Sequence, residues 1–209
     1  MAGARRKRGR TKIMKKGERR KQELLKTAYG MFITKGYENT SVDDIINAAG
    51  IAKGTYYYYF ETKEAMLEEV IGMMIEAEAE AATKVLEAPI PIPQKVVGII
   101  ASFRLEENEQ PIVDTINRPE NVLMHNKLNR RIIDVVVPLL SEVIKEGTNE
   151  GIFDCDNIPE RVRMILIVSN TLLEDAEFTE RDIDVFIDLT EKLLGAKKGT
   201  MDFIRGLIR

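Results

Sequence analysis

Cysteine and histidine are almost missing from this 209-residue chain: Cys155 and His125 stand alone, and there is no tryptophan. A single cysteine excludes an internal disulfide framework and suits a reducing compartment. One His and one Cys cannot build a multi-ligand zinc site within one chain. Long hydrophobic runs are absent too. No stretch approaches the roughly 18 apolar residues of a membrane span, and no signal-peptide segment follows the basic start. The expectation is a soluble cytoplasmic protein with no membrane partner. Nor is there a phosphate-binding glycine loop, or a Ser or Cys nucleophile placed near a His, so neither an enzyme nor a cofactor or metal is expected. What the chain does have is 44% hydrophobic residues, ample for a buried core.

A net charge of −3 conceals an asymmetry. Residues 1–21 carry eleven basic groups against Glu18 alone, a net of +10, which leaves −13 on residues 22–209. A basic head on an acidic body points to a polyanion partner contacted by the head only, since the remainder would repel it. Residues 1–17, rich in Arg, Lys and Gly and without periodicity, read as a disordered basic arm.

Apolar spacing is helical nearly everywhere, and no strand-like alternation of any length occurs. Leu24, Leu25, Ala28, Met31 and Phe32 line one face of a helix from Glu18 to Lys35-Gly36. A short second helix opens at Thr40 or Ser41, where a hydroxyl caps free amides and Asp43 and Asp44 suit the helix dipole. Val42, Ile45, Ile46 and Ala49 face inward, and Gly50 closes it. A third starts near Ala52 or Lys53 and carries Gly54, Thr55 and the run from Tyr56 to Phe60. Two short helices joined by a tight glycine turn form a helix-turn-helix, whose second helix enters the major groove of DNA. Its span is about 41–60. Thr62 then opens a long fourth helix striped by Ala65, Met66, Val70, Met73, Met74 and Ala77.

The prolines of 88–93 (APIPIP) form a linker, followed by a helix over about 94–105. Pro111 and Pro119 suit two further helix starts. From 128 to 145 the chain is apolar almost all round, a buried helix kinked at Pro138 and ended by Gly147 and Gly151. Two long helices remain. Val162, Ile165, Leu166, Ser169, Leu172 and Leu173 stripe the first; Ile183, Phe186, Ile187, Thr190, Leu193 and Leu194 stripe the second, with Val185 and Leu189 on a further face. Such extra faces call for burial against something besides the protomer's own core. The fold class is all-α: an N-terminal three-helix helix-turn-helix domain over 18–78, then a larger helical domain over 79–209.

The run TSVDDIINAAGIAKGTYYYYFETKEAML over 40–67, preceded by LLKTAYGMFITKGYENT, resembles the DNA-binding domain of the TetR family of transcriptional regulators. The elements that carry it are Phe32 and Gly36 at the end of the first helix, Thr40-Ser41-Val42 opening the second, the AAG turn, KGT, and the tyrosine run closing on Phe60 before TKE. The match covers about 18–78; the rest agrees only in outline. Two positions depart: Ala52 stands where a serine is common, removing a cap and a phosphate donor, and Tyr56 replaces a leucine. The resemblance implies a homodimer joined by its two C-terminal helices, repression of nearby genes, and release from DNA by an unknown small-molecule effector, which makes 79–209 a ligand-binding (effector-binding) and dimerisation domain.

The residues themselves assign roles at the DNA. Lys53 and Lys63 neutralise phosphates, and Thr40 and Ser41 donate to them. Gly54 lets the backbone come close, and Thr55 reads a base or a thymine methyl. Tyr57, Tyr58 and Tyr59 reach the duplex, while Tyr56 and Phe60 pack inward. The partner is then a palindromic double-stranded operator. For the effector, Met73, Met74, Phe103, Met124 and His125 suit either a pocket lining or plain core. Val162, Leu166, Ile183, Ile187 and Leu194 are expected at the dimer interface. Glu76, Glu78 and Glu80 read as a solvated face or a cation site, and Cys155 as a bystander thiol or an oxidation sensor. The rival reading is a ligand-independent architectural DNA-binding protein, which leaves the long acidic body unused.

Overall fold

The computed structural model describes residues 16–104, 107–173 and 179–208. The basic arm lies outside them, except that Lys16 and Gly17 already belong to the first helix. Ten α-helices occur among the described residues, with no strand. The chain divides into two compact units at Val70/Ile71. The division falls inside a helix rather than at 78, where an uninterrupted apolar stripe conceals it.

The first unit holds α1 (Lys16–Lys35), α2 (Val42–Ala49), α3 (Lys53–Tyr59) and the start of α4 (Lys63–Glu87). Leu24, Leu25, Ala28 and Phe32 are the buried face of α1. Ile45 and Ile46 of α2, Tyr56 and Phe60 around α3, and Met66, Leu67 and Val70 of α4 are buried in the same unit. Phe32 and Tyr37 pack edge-to-face at 5.2 Å between ring centres, a geometry aromatic quadrupoles favour. Gly50, at φ +61°, takes the left-handed turn that reverses the chain between α2 and α3, and its amide bonds back to Asn47.

The second unit is built on α7 (Val122–Asn149), which packs on α5 (Ile92–Ala101) and α8 (Ile158–Leu173); α8 packs in turn on α9 (Glu180–Leu194). The short helices α6 (Gln110–Ile116) and α10 (Arg205–Ile208) complete it. Val96, Ile99, Val136, Leu140, Val143, Ile144, Phe186 and Ile187 are at the centre of its core. Helix α5 begins at Ile92, inside the proline stretch expected to be linker, because Pro93 occupies the first turn, where its missing amide costs no hydrogen bond. Helix α7 runs through Gly147 instead of ending there. The Phe153 ring lies where a Cβ at 147 would stand, 2.5 Å away, so this glycine serves a close approach rather than a stop. The chain reverses at Gly151 instead.

Of the acidic run in α4, Glu76 and Glu80 are exposed but Glu78 is half-buried, so the three do not share one solvated face. Burial, then the neighbouring Glu109 carboxylate, push Glu78 up to about 7.

Candidate DNA interface and effector cavity

Helix α2 is started by a reciprocal cap. The Ser41 hydroxyl accepts from the Asp44 amide at 3.1 Å, and the Asp44 carboxylate accepts from the Ser41 amide at 2.9 Å and the Ser41 hydroxyl at 2.7 Å. These bonds hold the Asp44 carboxyl below its usual range. Helix α3 has no such cap: Ala52 at its N-cap contributes no side-chain bond. It is held instead by its aromatic underside. Tyr56 is fully buried and Phe60 nearly so. The Tyr56 hydroxyl donates to the Thr62 carbonyl at 3.4 Å, and burial pushes it up to about 12.

With Tyr56 and Phe60 inside, helical pitch turns the next residues outward. Tyr58 is 81% exposed and Tyr57 47%. Lys53 and Gly54 are exposed on the turn before them. Tyr59 is half-buried, its hydroxyl donating to the Gly17 carbonyl at 3.3 Å. Thr55 is half-buried and borders a small cleft with Arg20, Thr27 and Ala48. The Lys53 ammonium pairs with Asp43 at 3.1 Å, and that hydrogen bond raises its pKa. Both partners are more than half exposed, so the pair is weak and a phosphate can replace the carboxylate. The outward face of α3 thus offers a cation, phenolic hydroxyls and open backbone along one ridge.

Two residues expected on this face point the other way. Thr40 is fully buried, its hydroxyl donating to the Gly36 carbonyl at 2.8 Å. The half-buried Lys63 ammonium donates to the carbonyls of Tyr37 at 3.0 Å and Thr40 at 3.2 Å. Both polar heads satisfy the loop that leads into α2, a demand of tertiary geometry with no mark in residue type.

In the second unit, an apolar cavity of about 110 Å³ opens among α5, α7, α8, α9 and the C-terminal segment. Val96 and Ile100 contribute from α5, Leu140 and Ile144 from α7, and Val162, Ile165, Leu166 and Ser169 from α8. Phe186, Thr190 and Leu194 of α9 and Met201, Ile204 and Leu207 complete it. None of Met73, Met74, Phe103, Met124 and His125 lines this cavity. Met74 is buried; the other four are half-buried, and Phe103 packs against the core. The cavity is walled mostly by aliphatic residues that read as core in the sequence.

The five residues expected at a dimer interface also turn inward. Val162, Ile183, Ile187 and Leu194 are buried within the protomer, and Leu166 lines the cavity. The apolar side chains that α8 and α9 leave exposed are Met164, Ile167, Val168, Val185 and Leu189. Periodicity finds two apolar faces on such helices without saying which is inside. Burial raises the pKa of the half-buried Cys155, which keeps it a thiol rather than the reactive thiolate. Among the described residues no group of His, Cys, Asp and Glu side chains could hold a metal ion, and no helix is long and apolar enough to cross a membrane.

A helix-turn-helix whose second helix carries an open aromatic and basic face, followed by a larger helical unit, defines a DNA-binding transcriptional regulator. Residues 24–70 match the family of bacterial regulatory proteins known as the tetR family, and residues 104–191 match a tetracyclin repressor-like C-terminal domain. The chain belongs to the TetR family. It is similar to the HTH-type transcriptional repressor KstR2 of Mycolicibacterium smegmatis, at 27% identity over 155 residues, covering 69% of this chain and 74% of that one. To the HTH-type transcriptional regulator EthR of the same organism it is 33% identical over 90 residues, 43% of this chain and 42% of the other. A crystal structure of a TetR-family regulator from Mesorhizobium loti shares the fold, with a TM-score of 0.56 and 19% identity over 92% of this chain and 98% of that one. The family is one of DNA-binding regulators, not of enzymes.

Proposed function

We propose that this protein is a homodimeric repressor that seats α3 of each subunit in successive major grooves of a palindromic operator. It leaves the DNA when a small molecule occupies its C-terminal unit. The observation that carries this reading is the split of the aromatic run: Tyr56 and Phe60 anchor α3, while Tyr57 and Tyr58 stand in solvent beside Lys53 and Gly54. The contact set is Ser41, Lys53, Gly54, Thr55, Tyr57, Tyr58 and Tyr59, with Thr40 and Lys63 acting through the loop they hold. Exposed Met164, Ile167, Val168, Val185 and Leu189 form the subunit interface, since five large apolar side chains on adjacent helices are a patch that water disfavours. An apolar cavity in the second unit favours an effector-released repressor over a purely architectural protein.

Selection from random duplexes should recover a palindrome with half-sites one helical turn apart, roughly 34–36 Å. Tyr57→Ala and Lys53→Ala should each weaken binding to it with no loss of thermal stability. Wild-type affinity in both variants at equal salt would remove α3 as the reading helix.

A further inference from the structure

Among the described residues that line the cavity, only Ser169 and Thr190 bring an oxygen or nitrogen on the side chain, and none is ionisable. The Ser169 hydroxyl donates to the Leu166 carbonyl of its own helix at 2.9 Å, so its proton is committed. Thr190 is different. It is 1% exposed, and its Oγ1 has no hydrogen-bond partner.

That contrasts with how this chain treats threonines in helices. Thr27, Thr34, Thr83, Thr115, Thr148 and Thr171 each donate to the carbonyl four residues earlier, at 2.7–3.0 Å. The same bond would satisfy Thr190, yet it is not made. A buried hydroxyl left unpaired opposes folding, and nearly all buried polar groups are otherwise paired. In an apolar cavity, a lone unspent donor is the type of polar group that orients a ligand.

Resting on the effector reading above, we propose that the cavity takes an uncharged, mainly hydrophobic molecule whose single hydrogen-bond acceptor, a carbonyl or hydroxyl oxygen, is held by Thr190. Phe186 and Met201 pack against its apolar body, one on α9 and one on the C-terminal segment that closes the cavity. A carboxylate or phosphate entering the same space meets no cation among the described lining residues, and burying an unpaired charge is far more costly than burying a paired hydroxyl. Charge is therefore the discriminating property, and Thr190 sets the ligand's orientation.

The test uses the full chain and the neutral fluorophore N-phenyl-naphthylamine, which brightens in a dry site. The fluorophore should bind, and nonanone should displace it at least tenfold better than nonanoate of equal length. Thr190→Val, which keeps the volume and removes the hydroxyl, should leave fluorophore binding unchanged. It should weaken nonanone by about fivefold to tenfold, the ~1–1.4 kcal/mol of one hydrogen bond, and Thr190→Ser should restore most of it. Failure of the fluorophore to bind, nonanoate matching nonanone, or a Thr190→Val protein that binds nonanone like wild type each overturns the proposal. Operator release is read separately by gel shift with and without nonanone. Binding that follows Thr190 while operator affinity stays constant upholds the ligand class and sinks effector release instead.

Discussion

The Lys63 ammonium lies 4.0 Å from the centre of the Tyr37 ring while donating to the carbonyls of Tyr37 and Thr40. One cation thereby closes the loop between α1 and α2, and with it the entry to the helix-turn-helix. Lys63→Met keeps most of the apolar stem but leaves two carbonyls without their donor. Loss of those bonds and of the cation–π contact should cost about 1–3 kcal/mol in urea unfolding. Were Lys63 only a phosphate contact, stability would be unchanged and the salt slope of DNA binding would fall by about 0.9.

Gly54 separates folding from recognition. It is exposed, and a Cβ there would meet nothing within 4 Å. Gly54→Ala should stabilise the protein by up to about 1 kcal/mol through helix propensity, while weakening operator binding tenfold or more if the backbone approaches the duplex. A melting curve and a gel shift on the same sample decide it; undiminished DNA affinity would end the close-approach argument.

The two apolar faces of α8 and α9 can be told apart by charge. Met164→Asp with Val185→Asp places carboxylates on the exposed face, so sedimentation should find folded monomers. Leu166→Asp with Ile187→Asp instead puts them in the cavity wall and the core, where an unpaired charge is costly, and circular dichroism should show lost structure. A stable dimer in the first variant would relocate the interface.

Glu78 makes stability depend on pH. Its folded pKa is raised to about 7, from the 4.5 of an unperturbed carboxyl. The folded protein thus binds more protons than the unfolded chain between these values. Its contribution is fully present below about 4.5 and is lost as pH rises through about 7. Urea midpoints measured from pH 5 to 8 should fall for wild type relative to Glu78→Gln, with the two differing most at the alkaline end. Parallel profiles would place Glu78 in solvent.

Local chemistry and periodicity determined much of this protein. The capping at Ser41, the turn at Gly50, the missing cap at Ala52 and the inward Tyr56 and Phe60 follow from short-range geometry, which residue types encode directly. So does the all-α class, because 3.6-residue spacing leaves no room for a sheet. Tertiary structure alone decided which apolar face is inside. Val185 and Ile187 are equally hydrophobic in sequence, yet one is 59% exposed and the other 4%, since burial depends on which helix lies opposite. It also decided that Lys63 and Thr40 serve a loop, and that the cavity lies among aliphatic side chains far apart in the chain. Thr190 reads as one more helical threonine until the packing around it leaves its hydroxyl unpaired. Voids and unpaired donors are properties of how helices fit together, and no single helix carries their signature.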